Sequence, residues 1–279
     1  MSAPILVTGA SGNTGREVLR ALRERALPFQ AGVRRTGAPP EVALDFRDPR
    51  TWDEALQGCR GVFLLRPPAI ADVEETLLPF VDRARTLGAE QVVFLSVAGA
   101  EKNSFVPHHA VEKHLQAKEA PFTILRPGFF AQNLQDAYLR DIREDDRLIV
   151  PAGRGRAAFV DLHDVADVAA GVFAEPAPHD RAGYTLTGPE ALSFDEVAAI
   201  LSEELGRSIR YEHASIPGYL RHLRGRGLGW GQALVQTTLH VLLRLGQSKE
   251  VDPTLERLLG RPPRTLRTYV RAHRERWAT

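Results

Sequence analysis

Two short stretches of this chain hold residue types that could do chemistry. "VTGASGNTG" (residues 7–15) sets Gly9, Gly12 and Gly15 three apart, between an apolar run and a helical pattern. Glycine accepts positive φ and lets a backbone approach a ligand closely. The free N–H groups and positive dipole end of a following helix favour a pyrophosphate. Ser11, Asn13 and Thr14 fill the gaps in this loop and are expected to line a dinucleotide site with the glycines. The spacing differs from the commoner Gly-x-Gly-x-x-Gly, so its weight comes from the strand–turn–helix context. The second stretch, "FLSVAGAEKNSFVPHHAVEKHL" (residues 94–115), ends a strand, crosses a polar loop and opens a helix bearing His108, His109 and His114. These could be metal ligands, an acid/base pair or polar residues at a helix start. A metal site is not expected: His114 lies five residues beyond His109 and no His-Glu-x-x-His pattern is present.

The end of the second apolar run decides which dinucleotide is favoured. A site for NAD(H) wants an acid there to bind a ribose 2′-hydroxyl, and one for NADP(H) wants an arginine. The run ends "GVRRTG", with Arg34, Arg35 and no acid. A guanidinium grips a phosphate in a fork, whereas a carboxylate repels it. NADP(H) is therefore favoured over NAD(H), the plainer alternative being two solvated arginines on a loop.

These residues need a frame. "PILVTGA", "FQAGVRR", "EVALDF", "GVFLLRPP", "QVVFLSV" and "FTILRPG" read as strands. Between them "TGREVLRALRERA", "TWDEALQGC", "VEETLLPFVDRARTLGA" and "HAVEKHLQAKE" read as helices, the first with Val18, Leu19 and Leu22 on one face. Strands four and five are apolar on both faces, as strands between two helix layers should be. The order predicts an α/β fold: a doubly wound, mostly parallel sheet with right-handed crossovers. After Pro151 the rhythm loosens into a strand and helix in "AAFVDLHDVADVAAGVFA", a strand in "YTLTGP" and a helix in "SFDEVAAILSEELG", where Ser193 and Glu196 form a capping box. The expected domains are residues 1–190, nucleotide-binding, and residues 191–279, a smaller, mainly helical substrate lobe.

Composition narrows the function classes. The chain has 279 residues, 43% hydrophobic and 25% charged, with a formal charge of +1, ordinary for a protein with a buried core. Residues 207–279 hold 14 Lys/Arg against 5 Asp/Glu. "RTLRTYVRAHRERW" nonetheless reads as a docked amphipathic helix with a solvated basic side, and nucleic acid is not an expected partner. One cysteine, Cys59, excludes an intrachain disulfide. The first residues lack the pattern of a secretory signal, and the least charged run (residues 228–243) is too short and polar to span a bilayer, so a cytoplasmic protein without a membrane partner is expected. The uncharged helix around residues 230–243 reads as a wall of a substrate pocket or a homodimer interface.

The series "VTGASGNTG", "LDFRD", "GVFLLRPP", "VVFLSVAGA", "HHAVEKHL", "FTILRPGFFAQNL" and "PAGRGRAAFVDLHDVADVAA" resembles the atypical short-chain dehydrogenases/reductases, and within them the NmrA-like group, over nearly the whole chain. Members of that group bind NAD(P)(H). Some reduce quinones, dyes, enones or imines, and others act as redox sensors. The wider superfamily uses a serine after the fifth strand and a Tyr-x-x-x-Lys on the next helix. Ser96 and Lys113 match the serine and the lysine, while His109 stands where the tyrosine would be. The resemblance implies catalytic roles for Ser96, His109 and Lys113, with Lys113 also on the nicotinamide ribose. It implies cofactor contacts at Asp45, Phe46, Leu65, Arg66, Pro67, Pro127, Phe129 and Phe130. His109 then either donates a proton in place of tyrosine, which suits a conjugated acceptor better than a ketone, or only shapes the pocket. Phe129 and Phe130 are either core or pocket wall. The expectation is an NADPH-dependent oxidoreductase passing hydride to a small conjugated acceptor such as a quinone, dye, enone or imine. The alternative is a non-catalytic NAD(P)(H)-binding sensor with a protein partner.

Overall fold

A computed structural model describes residues 3–278. Its strands, in chain order, are β1 (Ile5–Val7), β2 (Phe29–Val33), β3 (Glu41–Ala43), β4 (Gly61–Leu65), β5 (Gln91–Leu95) and β6 (Phe122–Pro127). They continue as β7 (Phe129–Phe130), β8 (Arg147–Val150), β9 (Arg156–Val160), β10 (Ala182–Leu186), β11 (Ala191–Ser193) and β12 (Arg210–His213). The helices of the first half are α1 (Asn13–Glu24), α2 (Trp52–Leu56), α3 (Leu77–Thr86) and α4 (Pro107–Ala117). Beyond them lie α5 (Asn133–Asp136), α6 (Leu139–Asp145), α7 (Leu162–Ala174), α8 (Phe194–Leu205), α9 (Ile216–Gly225), α10 (Trp230–Arg244), α11 (Thr254–Leu259) and α12 (Leu266–Ala272).

The chain forms two compact units. The first joins the residues up to Pro127 with Leu162–Leu186, and the second joins Gly128–Asp161 with the residues from Thr187 onward. The expected single cut near residue 190 thus runs differently: residues 128–161 group with the later ones, because β7 and β9 pair with each other and β9 with β11.

In the first unit a seven-stranded sheet runs β10-β6-β5-β4-β1-β2-β3, every pairing parallel. This is the doubly wound sheet read from the sequence, and it explains why β4 and β5 are apolar on both faces. One face packs on α2, α3 and α4 through Leu64, Phe80, Phe94, Val111 and Leu115. The other packs on α1 and α7; a Cβ on Gly61 would sit 2.9 Å from the Phe173 ring, so α7 lies close over β4. Burying one such aromatic side chain stabilises the fold by roughly 2–3 kcal/mol.

The second unit has its own core of Tyr138, Phe159, Phe194, Tyr219, Tyr269 and Trp277 among others. Its small sheets are β11-β9-β7 and β12-β8; β9 is the strand read from "AAFV", whereas β7, β8, β11 and β12, two to four residues long, were not legible as strands. The capping box is present, with Ser193 Oγ accepting from Glu196 N. Leu266, Tyr269, Val270 and Trp277 are buried as the amphipathic pattern predicts, while Arg267 and Arg271 clasp Glu204 of α8. Two of the tail's arginines thus serve helix docking. No described helix is long and apolar enough to cross a membrane.

Candidate cofactor and catalytic site

The carboxyl edge of the parallel sheet gathers the residues singled out above in the first unit. Backbone builds its first half. Gly9 has φ +63, and Gly12 N donates back to Gly9 O at 3.0 Å. A Cβ on Gly15 would lie 2.3 Å from Gly9 O and 2.6 Å from Ala10 Cα, so only glycine lets α1 start this close to β1. Gly12 is the helix N-cap, with no side-chain cap and no acid in the first turn. Helix N–H groups are thus left for an anion, and the positive end of the dipole is not offset. Leu65 N donates to Thr8 Oγ1 at 2.9 Å, and a Cβ on Gly9 would meet Leu65 Cδ2 at 2.8 Å. β4 thereby walls the loop. Arg34 and Arg35 follow β2, exposed, and neither hydrogen-bonds or pairs with another group among the described residues. This cradle of glycines and uncapped helix amides fits the pyrophosphate of a nicotinamide dinucleotide.

The softer positions divide. Asp45 Oδ1 accepts from Arg47 N at 2.9 Å. Phe46 is a core residue, its ring edge-on to Phe80 at 5.0 Å. Pro127 is buried at the end of β6. In the second unit Phe129 packs edge-on against Phe159 and Phe194, at 5.3 and 6.4 Å, while Phe130 is partly exposed.

Side chains build the other half. Ser96, 2% exposed, donates its hydroxyl to Glu112 Oε1 at 2.5 Å. Arg126 of β6 grips the same carboxylate in a fork, Nε at 3.0 Å and Nη2 at 2.7 Å, and lies 3.4 Å from Glu101. Gly183 on β10 leaves room for that guanidinium, a Cβ there coming within 2.6 Å of Nη1. The proton of Ser96 is committed to Glu112. Glu112, Arg126, Glu101 and Gly183 escaped the sequence reading. Two signals were there: an arginine within an apolar strand, and a glutamate between Val111 and Leu115 on a helix face that must be buried.

The three histidines part company. His114 Nε2 bonds Asp82 Oδ1 at 2.8 Å. His109 Nδ1 bonds the Ala100 carbonyl at 2.7 Å; since a carbonyl only accepts, Nδ1 carries the proton and Nε2 is left as a lone pair in the neutral ring. His109 can therefore give a proton from Nε2 only as imidazolium. His108 Nε2 accepts from Arg66 Nε at 3.3 Å, its ring 6.0 Å from Phe94. Burial, aided by the Arg66 guanidinium, holds the His108 imidazole down at about 4. Lys113 lies exposed on α4, one turn from His109. Cys59 is buried and its thiol pushed up to about 11 by that burial, which leaves it unreactive.

Comparison with known proteins matches residues 1–257 to the model of the NmrA-like family. The chain belongs to that family. Among its relatives an NAD(P)H azoreductase of Xenophilus azovorans is 34% identical, over 96% of this chain and 97% of the relative. An NADPH-dependent quinone oxidoreductase of Escherichia coli, solved with NADPH, superposes with a TM-score of 0.85 at 25% identity, covering 97% of this chain and 99% of the other. A triphenylmethane reductase of Citrobacter complexed with NADP(H) also reaches 0.85, at 23% identity over 96% and 99% of the two chains. This NmrA-like chain thus has the Rossmann-type fold of these reductases.

Proposed function

We propose that this protein is an NADPH-dependent reductase that transfers a hydride to a small, flat, conjugated acceptor such as a quinone or an azo compound. The observation that carries the reading is the glycine cradle at α1 together with two open guanidiniums, Arg34 and Arg35, at the end of β2. The relatives named above, an azoreductase and a quinone oxidoreductase, support the acceptor class. The bound reduced nicotinamide would supply the hydride.

The chain's own residues bind, orient and handle protons. Gly9 to Gly15 and the first amides of α1 hold the pyrophosphate, Arg34 and Arg35 hold the 2′-phosphate, and Lys113 holds the nicotinamide ribose. Ser96 supports α4 through Glu112. His109, anchored by Ala100 O, offers Nε2 as the proton donor when it is charged. A conjugated acceptor becomes a delocalised anion that accepts a proton from imidazolium or water. The alkoxide of a simple ketone forms only with a donor already in place, whereas the delocalised anion of a conjugated acceptor can wait for one, so this chemistry does not depend on the tyrosine that the superfamily keeps where His109 stands.

The test is the loss of nicotinamide absorbance with NADPH and a panel of quinones, azo dyes and enones. Turnover is expected, with KM for NADPH raised about tenfold or more by Arg34→Glu and KM for NADH little changed. Tight NADPH binding without oxidation by any acceptor would replace this reading with the redox sensor.

A further inference from the structure

Arg66 stands apart from the other charged side chains of the sheet edge. Its guanidinium is half-buried, with Nε on the His108 ring nitrogen at 3.3 Å and Nη1 on the carbonyls of Pro67 at 3.2 Å and Ile70 at 2.5 Å. All three partners are uncharged; His108, held neutral, adds none of the missing negative charge. The nearby carboxylate of Glu112 is spent on Ser96 and Arg126. Nη2 meets no acceptor among the described residues and is not sealed off from solvent. A guanidinium stays charged in a protein, and a partly desolvated charge without an opposite one is costly. This cation is fixed on one side, open on the other, and has no paired counter-charge among the described residues.

Its place says what the counter-charge belongs to. The pyrophosphate cradle opens on β1 and the 2′-phosphate arginines end β2, whereas the Arg66 side chain reaches the other way, from β4 to the start of α4 beyond β5. That is the side of His109, the donor proposed above for the acceptor's proton. We infer that Arg66, braced by His108, is an anion subsite for an acidic substituent, a sulfonate or carboxylate, carried by the acceptor. The inference rests on the reductase reading for the identity of the ligand, and it names the substrate class as acidic aromatic acceptors. A planar guanidinium with a free edge suits the paired oxygens of such groups.

The probe is a matched pair of dyes, 4-(4-hydroxyphenylazo)benzenesulfonate and the corresponding benzenesulfonamide, alike in shape but not in charge. Their dissociation constants are measured on the full chain saturated with NADP⁺, so no turnover is needed. The expected result is a preference for the sulfonate of about tenfold or more, falling to near unity in Arg66→Met and largely kept in Arg66→Lys. His108→Gln should reduce it to a smaller extent. Equal binding of the two dyes by the unaltered protein would overturn the inference. So would a preference that survives Arg66→Met, above all if NADP⁺ affinity falls instead, since the guanidinium would then serve the cofactor. Should NADPH prove not to be oxidised by any acceptor, the reductase reading falls while the same dye preference still decides this one.

Discussion

The two ends of the sheet edge are built from different materials. At β1–α1 the site is backbone: turn glycines, amides without a cap, a helix placed within van der Waals reach of a strand. At β4–β5–α4 it is side chains holding side chains, with Glu112 between Ser96 and Arg126 and His108 against Arg66. A backbone site is local, so a nine-residue stretch encodes it and leaves no room for an added atom at Gly15. A side-chain site is assembled from distant positions, and its tolerance depends on which partner is left unpaired.

Glu112→Leu should have the largest effect of the changes that follow. It strips the largely buried Arg126 guanidinium of its forked partner and leaves it only Glu101, at 3.4 Å; breaking a buried pair costs about 3–5 kcal/mol, and the remaining carboxylate puts the loss near the lower end. Urea unfolding should show a loss of that size, and Glu112→Leu combined with Arg126→Leu should recover part of it. A loss under about 1 kcal/mol would show this end to be as loosely held as a surface ion pair.

Acid sharpens the same contrast. His108 and, in the second unit, His240 are each held down at about 4 by burial. His240 Nε2 there accepts from Tyr138 Oη at 2.5 Å. Each histidine binds a proton more readily unfolded, so the stability it contributes is full at and above pH 6.5 and falls as pH drops toward 4. At 1.4 kcal/mol per unit that is roughly 3 kcal/mol per histidine by pH 4. Thermal unfolding between pH 7 and 4 should show it, and His108→Gln should flatten the slope. A slope unchanged by that substitution would mean His108 is not held neutral.

Gly15→Ala tests the backbone end. Its Cβ would press on Gly9 O and Ala10 Cα, so α1 must shift from the phosphate site, and NADPH affinity should fall about a hundredfold, near 2.7 kcal/mol. Calorimetric titration reads this directly; affinity within about threefold of the unaltered protein would show that the cradle is adjustable and the contrast too sharply drawn.

Legibility in the sequence follows the same division. The seven-stranded sheet came through because most of its strands are short apolar runs and most of their connections carry an amphipathic helix; β10 was read from "YTLTGP" alone. The glycine loop was legible as a contiguous motif. The packing role of Phe46 was not legible, because a turn after a strand can bury its aromatic residue, and here Phe80 receives it. The partner of Ser96 lies sixteen residues further on, and the arginine that shares it thirty, and only the fold brings the three together. The division of the chain was obscured because β7 and β9 are recruited to the second unit from within the stretch that otherwise builds the first.

That recruitment affects how the polypeptide is made. The first unit is discontinuous: its edge strand β10 and covering helix α7 come only after the Gly128–Asp161 excursion. A nascent polypeptide emerging amino-end first will therefore display the flank of β4 and β5 awaiting α7, with Gly61 not yet roofed by Phe173. The sheet closes only when some sixty residues beyond β6 have cleared the ribosome, and until then its apolar flank stands open to water.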